Sequence, residues 1–166
     1  MNIFRFFRHT FTSRMTLRQA FPASVLEVIE QAIRQSETMH DGEIRFAGEA
    51  ALPTVSLFGG QLASARALEV FSQLRVWDTA QNNGVLIYLL LADHHVEIIA
   101  DRGIHARVGK EEWATICHQM EAAFQQGQFE AGVTDGIRAV GKHLQTHFPT
   151  TRQGGDNELP NQPVLL

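Results

Sequence analysis

The stretch Asn82-Asn83-Gly84-Val85-Leu86-Ile87-Tyr88-Leu89-Leu90-Leu91-Ala92-Asp93-His94-His95-Val96-Glu97-Ile98-Ile99-Ala100-Asp101-Arg102-Gly103 decides the fold of this chain. Val85 to Ala92 is apolar throughout, the pattern of a central strand covered on both faces. Asp93-His94-His95 reads as a tight turn into a second apolar run, Val96 to Ala100, so the two runs pair as a hairpin. Asn82-Asn83-Gly84 supplies turn chemistry ahead of the first run, and Asp101-Arg102-Gly103 ends the second.

Upstream, a helix is expected from about Leu62 to Trp77, with Leu68, Phe71 and Leu74 at helical spacing. Pro53 and Gly59-Gly60 mark the loop before it. Glu43 to Ala50 alternates: Ile44, Phe46, Gly48 and Ala50 fall on one face, Glu43, Arg45 and Glu49 on the other, as in a half-buried strand. Pro22 opens an earlier helix whose apolar face is Leu26, Ile29 and Ile33, and His40-Asp41-Gly42 breaks it. Downstream, Trp113, Ile116, Cys117, Met120 and Phe124 share one helical face, and Val133, Ile137, Val140 and Leu144 another.

The expected order is therefore α-β-α-β-β-α-α, an α/β sandwich in which helices flank a small mixed sheet. A strand–helix–strand crossover makes the Glu43 and Val85 strands parallel, and the hairpin makes the Val96 strand run opposite to both. The starts of the first two strands and the end of the third then lie at one edge. That edge collects Asp41, Glu43, Asp78, Asn82, Asn83, Asp101 and Arg102, with His40 and His105 nearby. Three segments result: a basic aromatic arm over residues 1–20, a folded domain over 21–149, and a polar tail over 150–166 expected to be disordered.

At 166 residues and net charge −4 the chain has the make-up of one globular domain. Residues 1–22 hold Arg5, Arg8, Arg14 and Arg18 and no acid, so the remainder is acidic. An acidic body argues against nucleic acid as a partner. The arm, with Phe4, Phe6, Phe7 and Phe11 among its arginines, suits an amphipathic helix on a membrane surface or a protein partner; the alternative is packing on its own domain. The single cysteine, Cys117, leaves no internal disulfide and sits on an apolar helical face. No run approaches the roughly 18 apolar residues that cross a bilayer. The expected location is the cytoplasm, with a peripheral position at the inner membrane as the alternative that the arm leaves open.

Trp77-Asp78-Thr79, the Asn82-Asn83-Gly84-Val85-Leu86-Ile87 strand entry and Val96 to Ile104 together resemble the TPM domain family. Phe124 to Val133 is similar to that family's helix pair, and Gly42-Glu43-Ile44-Arg45-Phe46 to the first strand of its small bacterial branch. The likeness covers about residues 21–149 and implies a thylakoid-lumen acid-phosphatase-like fold. It further implies a divalent-metal site, of calcium or magnesium, at Asp78, Asn83 and Asp101, with Glu43 added in that branch; such oxygen ligands suit a hard cation. Members differ in activity, some being described as acid phosphatases and others as accessory proteins.

Each residue also has a plainer role. Asp78 can cap a turn, Asn83 can shape one, Glu43 can face solvent, and Asp101 can pair with Arg102 or Arg107. Ser64 has no sequence neighbour to activate it, and no Gly-x-Ser-x-Gly elbow occurs. Two functions follow: a divalent-cation-binding domain that acts as a non-catalytic accessory or interaction module, or a metal-assisted phosphatase on phosphomonoesters. In the second, Asp78 or Asp101 holds the metal and Arg102 pairs the phosphate.

Overall fold

A computed structural model of the chain describes residues 3–53, 56–57, 59–150 and 157–166, with side chains from residue 5 onward. Its elements are α1 (Ile3–Phe11), α2 (Arg14–Ala20), α3 (Ala23–Glu37), β1 (Glu43–Glu49), α4 (Ala63–Gln73), β2 (Gly84–Leu90), β3 (His95–Ala100), α5 (Arg102–His105), α6 (Lys110–Gln125), α7 (Phe129–His147) and β4 (Val164–Leu165). The sheet order is β3-β2-β1-β4. β1 runs parallel to β2, and β3 antiparallel to β2, as the crossover and the hairpin require. The hairpin turns through a single 3-10 turn at Leu91–Asp93 and a left-handed His94 with φ 48°.

Apolar side chains fill both faces of the sheet. On one, Ile44, Phe46, Val85, Ile87 and Leu89 meet Ile29 and Ile33 of α3 and the inner faces of α6 and α7. On the other, Ala47, Leu86, Tyr88 and Leu90 meet Ala67, Val70 and Phe71 of α4. Leu68, expected on that helix face, is exposed, because the stripe that faces the sheet runs through Ala63, Ala67 and Val70. Trp113 is core, whereas Cys117 is half-buried with its thiol pushed up to about 12 by burial.

Two expectations change. The tail is not disordered throughout: residues 157–166 lie against the domain, Leu159 is buried, and β4 pairs in parallel with β1 at Ala47↔Val164 and Gly48↔Leu165. Residues 151–156 of that expected segment lie outside the described residues. The physical reason is apolar area, since Leu159, Val164 and Leu166 join the α4-side core. For the same reason β1 is buried on both faces, not one. Its polar face is met by partners instead of water: Glu49 takes two hydrogen bonds from Arg66, at 2.9 and 3.1 Å, and one from Tyr88 Oη at 2.6 Å.

The arm packs on its own domain. Arg5 and Arg8 reach the two carboxylate oxygens of Asp93 at 2.9 and 2.8 Å, and Leu17 is buried. Among the described residues no helix is long and apolar enough to cross a membrane.

Candidate functional site

The register sets Glu43 opposite Gly84, and the Asp101 N–H donates to the Gly84 carbonyl at 2.9 Å. The starts of β1 and β2 and the end of β3 therefore share one edge, where the sequence places them. Two glycines let the connecting loops close over it. A Cβ on Gly84 would stand 1.9 Å from the Val76 carbonyl oxygen, and one on Gly103 would stand 2.5 and 2.6 Å from those of Asn82 and Gln81. The carbonyl of Asn82, itself left-handed with φ 53°, accepts from Gly103 and Ile104 at 2.9 and 3.3 Å and ties the loop to α5.

Asn83 is fully buried at this junction. Its main-chain N–H donates to Thr79 Oγ1 at 3.1 Å and its Nδ2 to the Asp41 carbonyl at 2.8 Å. That second bond fixes which end of the amide carries the oxygen, and the oxygen, Oδ1, is buried with no partner. On the neighbouring strand end, Asp101 Oδ1 caps α5 by accepting the Arg102 N–H at 2.7 Å. Its Oδ2 is likewise buried and without a partner. A buried acceptor left unmatched costs about 1–3 kcal/mol, more when charged, so two on adjacent strand ends are unusual.

Asp78 stands apart on an exposed turn, where its N–H donates to the Arg75 carbonyl at 2.9 Å. Arg102 is exposed and donates through Nε to Asn82 Oδ1 at 3.1 Å. Arg107 donates to the His147 carbonyl at 2.8 Å and lies 4.6 Å from the Phe148 ring centre, so it is not the partner of Asp101.

Glu43 departs from both of its expected roles. It is buried, and its oxygens accept the main-chain N–H groups of Glu158 and Leu159 at 3.1 and 3.2 Å. The tail has taken the carboxylate that the resemblance offers to a metal. Burial raises the Glu43 carboxyl above its usual range, and the two N–H bonds act against that.

Beside it lies a polar cluster of which the sequence placed only His40 at this edge and missed Glu37, Ser36, Asn161 and the burial of Arg45. Glu37, at the end of α3, accepts the Ile44 N–H at 2.9 Å and Asn161 Nδ2 at 2.7 Å. Its carboxyl is pushed up to about 8, first by burial and then by the charge of Glu43. Arg45 is buried with Nε and Nη1 unpartnered, and burial lowers its affinity for its proton. His40 is buried too, its Nε2 3.0 Å from Ser36 Oγ and its Nδ1 2.9 Å from the Gly42 carbonyl. Burial drops its pKa to about 4, so it is neutral at physiological pH. The carbonyl accepts only from an N–H, so Nδ1 carries the proton and Nε2 accepts from the hydroxyl. This resembles a nucleophile–base pair, but Ser36 is buried and its hydroxyl faces the backbone of α7, where a Cβ on Gly141 would lie 2.2 Å away.

An open cleft of about 720 Å³ runs along this part of the edge, lined by Glu37, His40, Asp41, Glu43, Glu158 and Asn161 among others. Asp78, Asn83 and Asp101 lie outside it. Among the described residues no three His, Cys, Asp or Glu side chains converge as a metal-binding group. Thus Asn83 and Asp101 lie at adjacent strand ends, Asp78 stands apart in solvent, and Glu43 is diverted. The signal for the missed cluster was present in the charged alternation of β1, which needs a covering, and in the apolar end Val164-Leu165-Leu166 that covers it.

Known proteins share this fold. A family model described as the TPM domain matches residues 17–143. The NMR structure of the BA42 protein from the psychrophilic bacterium Bizionia argentinensis is 33% identical with a TM-score of 0.73, over 87% of this chain and 94% of that one. The N-terminal domain of a P. gingivalis protein, solved by NMR, shares the fold at 21% identity and a TM-score of 0.62, over 80% of this chain and 83% of that one. No curated protein matches the chain.

Proposed function

Since the chain belongs to the TPM domain family, we propose that it is a non-catalytic accessory domain that binds a divalent cation at the edge formed by Asn83 and Asp101. The observation that carries this reading is the pair of buried, unpartnered oxygens, Asn83 Oδ1 and Asp101 Oδ2, on adjacent strand ends. A hard cation is matched by one carboxylate and one amide oxygen, and Asp78, exposed on its own turn, stands outside the pair. Glu43 does not fit as a ligand, because its oxygens are engaged by the tail. Two protein oxygens fall short of the set a hard cation takes, which favours weak over tight binding. Bound there, it neutralises the carboxylate and ties the β2 entry to the β3 exit.

Three features support an accessory role over phosphatase chemistry. The site lies at the amino ends of the parallel strands, whereas open α/β sheets hold substrates at the carboxyl ends. Arg102, the candidate for gripping phosphate, is engaged with Asn82. The buried Ser36–His40 pair has its hydroxyl turned toward α7.

Calorimetric titration of magnesium, calcium and manganese into chelator-treated protein tests the reading. Asp101→Asn is the informative variant, because Asn remains a good N-cap for α5 while the charge is lost. Wild type is expected to bind, Asp101→Asn to bind at least tenfold more weakly, and Glu43→Gln to bind like wild type. Absence of binding by folded wild-type protein would sink the cation site. Hydrolysis of a phosphomonoester by metal-replete wild type, abolished in Asp101→Asn, would replace the accessory role with the phosphatase.

A further inference from the structure

We propose that the N-terminal arm is a preorganised anchor for an anionic membrane surface. This inference concerns the opposite end of β2 from the cation site and stands independently of it. The inner side of the arm is committed to the domain. Arg5, Arg8 and His9 all meet Asp93, at 2.9, 2.8 and 3.2 Å. His9 also accepts the Leu52 N–H on Nδ1 at 3.0 Å, so its proton sits on Nε2, toward Asp93. Its outward side carries three large apolar side chains among polar ones such as Thr10, Thr16 and Gln19. Phe7, Phe11 and Met15 are 50%, 78% and 70% exposed, and Phe7 stacks on Phe11 with ring centres 6.3 Å apart. Phe7 and Phe11, one turn apart on α1, and Met15 on α2 are turned to solvent, and exposed apolar side chains of this size call for a partner.

Charge selects which partner. Residues 1–22 carry four arginines and no acid, while the other residues carry all eighteen acids against ten lysines and arginines. Arg14 and Arg18 are exposed and take part in no ion pair among the described residues. An apolar face edged with arginine and free of acids suits anionic headgroups over an acyl layer, with the face entering about 5–10 Å. A second copy of the chain presenting the same face would set arginine against arginine. The acidic body is repelled by the same surface, which turns it outward. Because the Asp93 contacts already order the arm, little entropy is lost on docking.

The test is co-sedimentation of the full chain with vesicles of phosphatidylcholine alone and with 30% phosphatidylglycerol. Wild type is expected to sediment with the anionic vesicles only, and several-fold less at 0.5 M salt than at 0.05 M. Phe11→Ser with Met15→Ser should weaken binding at least tenfold, and Arg14→Gln with Arg18→Gln roughly tenfold, both with unchanged unfolding midpoints since all four side chains are exposed. As a measure that does not depend on those substitutions, Phe11→Trp should add emission that shifts to the blue on anionic vesicles, read as the difference from wild type. Wild type left in the supernatant with both vesicles, binding indifferent to both double substitutions, or an unshifted difference emission from Phe11→Trp would overturn the proposal. So would a vesicle-free dimer that Phe11→Ser dissolves, which would identify a second copy as the occupant.

Discussion

Replacing Glu37 by Gln isolates one proton. In the folded chain its carboxyl is pushed up to about 8 from an ordinary 4.5, by burial and then by the neighbouring Glu43 carboxylate. The folded state therefore holds a proton that the unfolded state has released. Stability from this group is fully present below about pH 4.5 and is lost as pH rises toward about 8. His40 works in the opposite sense: its folded pKa of about 4 lies below the ordinary 6.5, so its contribution is present above 6.5 and lost as pH falls toward 4. The unfolded His40 finishes losing its proton just above pH 6.5, a change common to both proteins. At 1.36 kcal/mol per pH unit, Glu37 should remove roughly 2 kcal/mol of stability between pH 6.5 and 8. Gln is a fair neutral stand-in. Its carbonyl accepts the Ile44 N–H, and Asn161, whose Oδ1 now lacks a partner, can turn its amide to accept from the new NH2. Urea unfolding of both proteins at pH 6.5 and 8 reads the effect as a difference, which cancels other titrating groups such as His95. Wild type should lose about 2 kcal/mol more than Glu37→Gln across that interval. Parallel pH profiles for the two proteins would refute the buried, proton-holding Glu37.

Other substitutions probe the frame around the site. Gly84→Ala places a Cβ 1.9 Å from the Val76 carbonyl oxygen, main chain that cannot swing aside, and should destabilise by about 3 kcal/mol or more in thermal unfolding. An ordinary loss of ~1 kcal/mol would mean that the loop over β2 yields. Asp93→Asn removes the charge that Arg5, Arg8 and His9 share, and should speed tryptic cleavage at Arg14 and Arg18 while the body stays intact. The Asp93 carboxyl is held below its usual range by its Arg5 and His9 bonds, which outweigh its burial, so the wild-type arm should gain the same sensitivity only in strong acid. Equal cleavage rates for variant and wild type at neutral pH would show that packing around Leu17 holds the arm by itself.

The hairpin was legible because its signals are local: an apolar run, a turn and a second run lie within about twenty residues. The polar edge followed from topology, since crossover and hairpin rules fix strand direction whatever the side chains are. What stayed hidden depended on contacts remote in sequence. β4 is two residues long, too short for any periodicity, and it pairs across more than one hundred residues with β1. Without it Glu43 and Arg45 read as a wet face, and Glu43 as a free ligand. The four-residue α5 was hidden as well, since Asp101-Arg102-Gly103 reads equally well as a turn. The resemblance named Asn83 and Asp101, but it could not show which oxygens would be left without partners.

The two-residue β4 also bears on how the chain behaves in crowded solution. β1 would otherwise be an edge strand, offering unpaired N–H and C=O groups to any strand nearby. With β4 in place the Leu166 N–H donates to the Gly48 carbonyl at 2.9 Å, and the rim is covered at Ala47 and Gly48. A ladder this short gives way before the core does. Molecules whose tails have lifted present an open rim to one another, the template from which domain-swapped oligomers and fibrils grow. Glu43, Arg45 and Glu49 then act as gatekeepers on that strand, because their charges make continuous stacking of identical strands unfavourable.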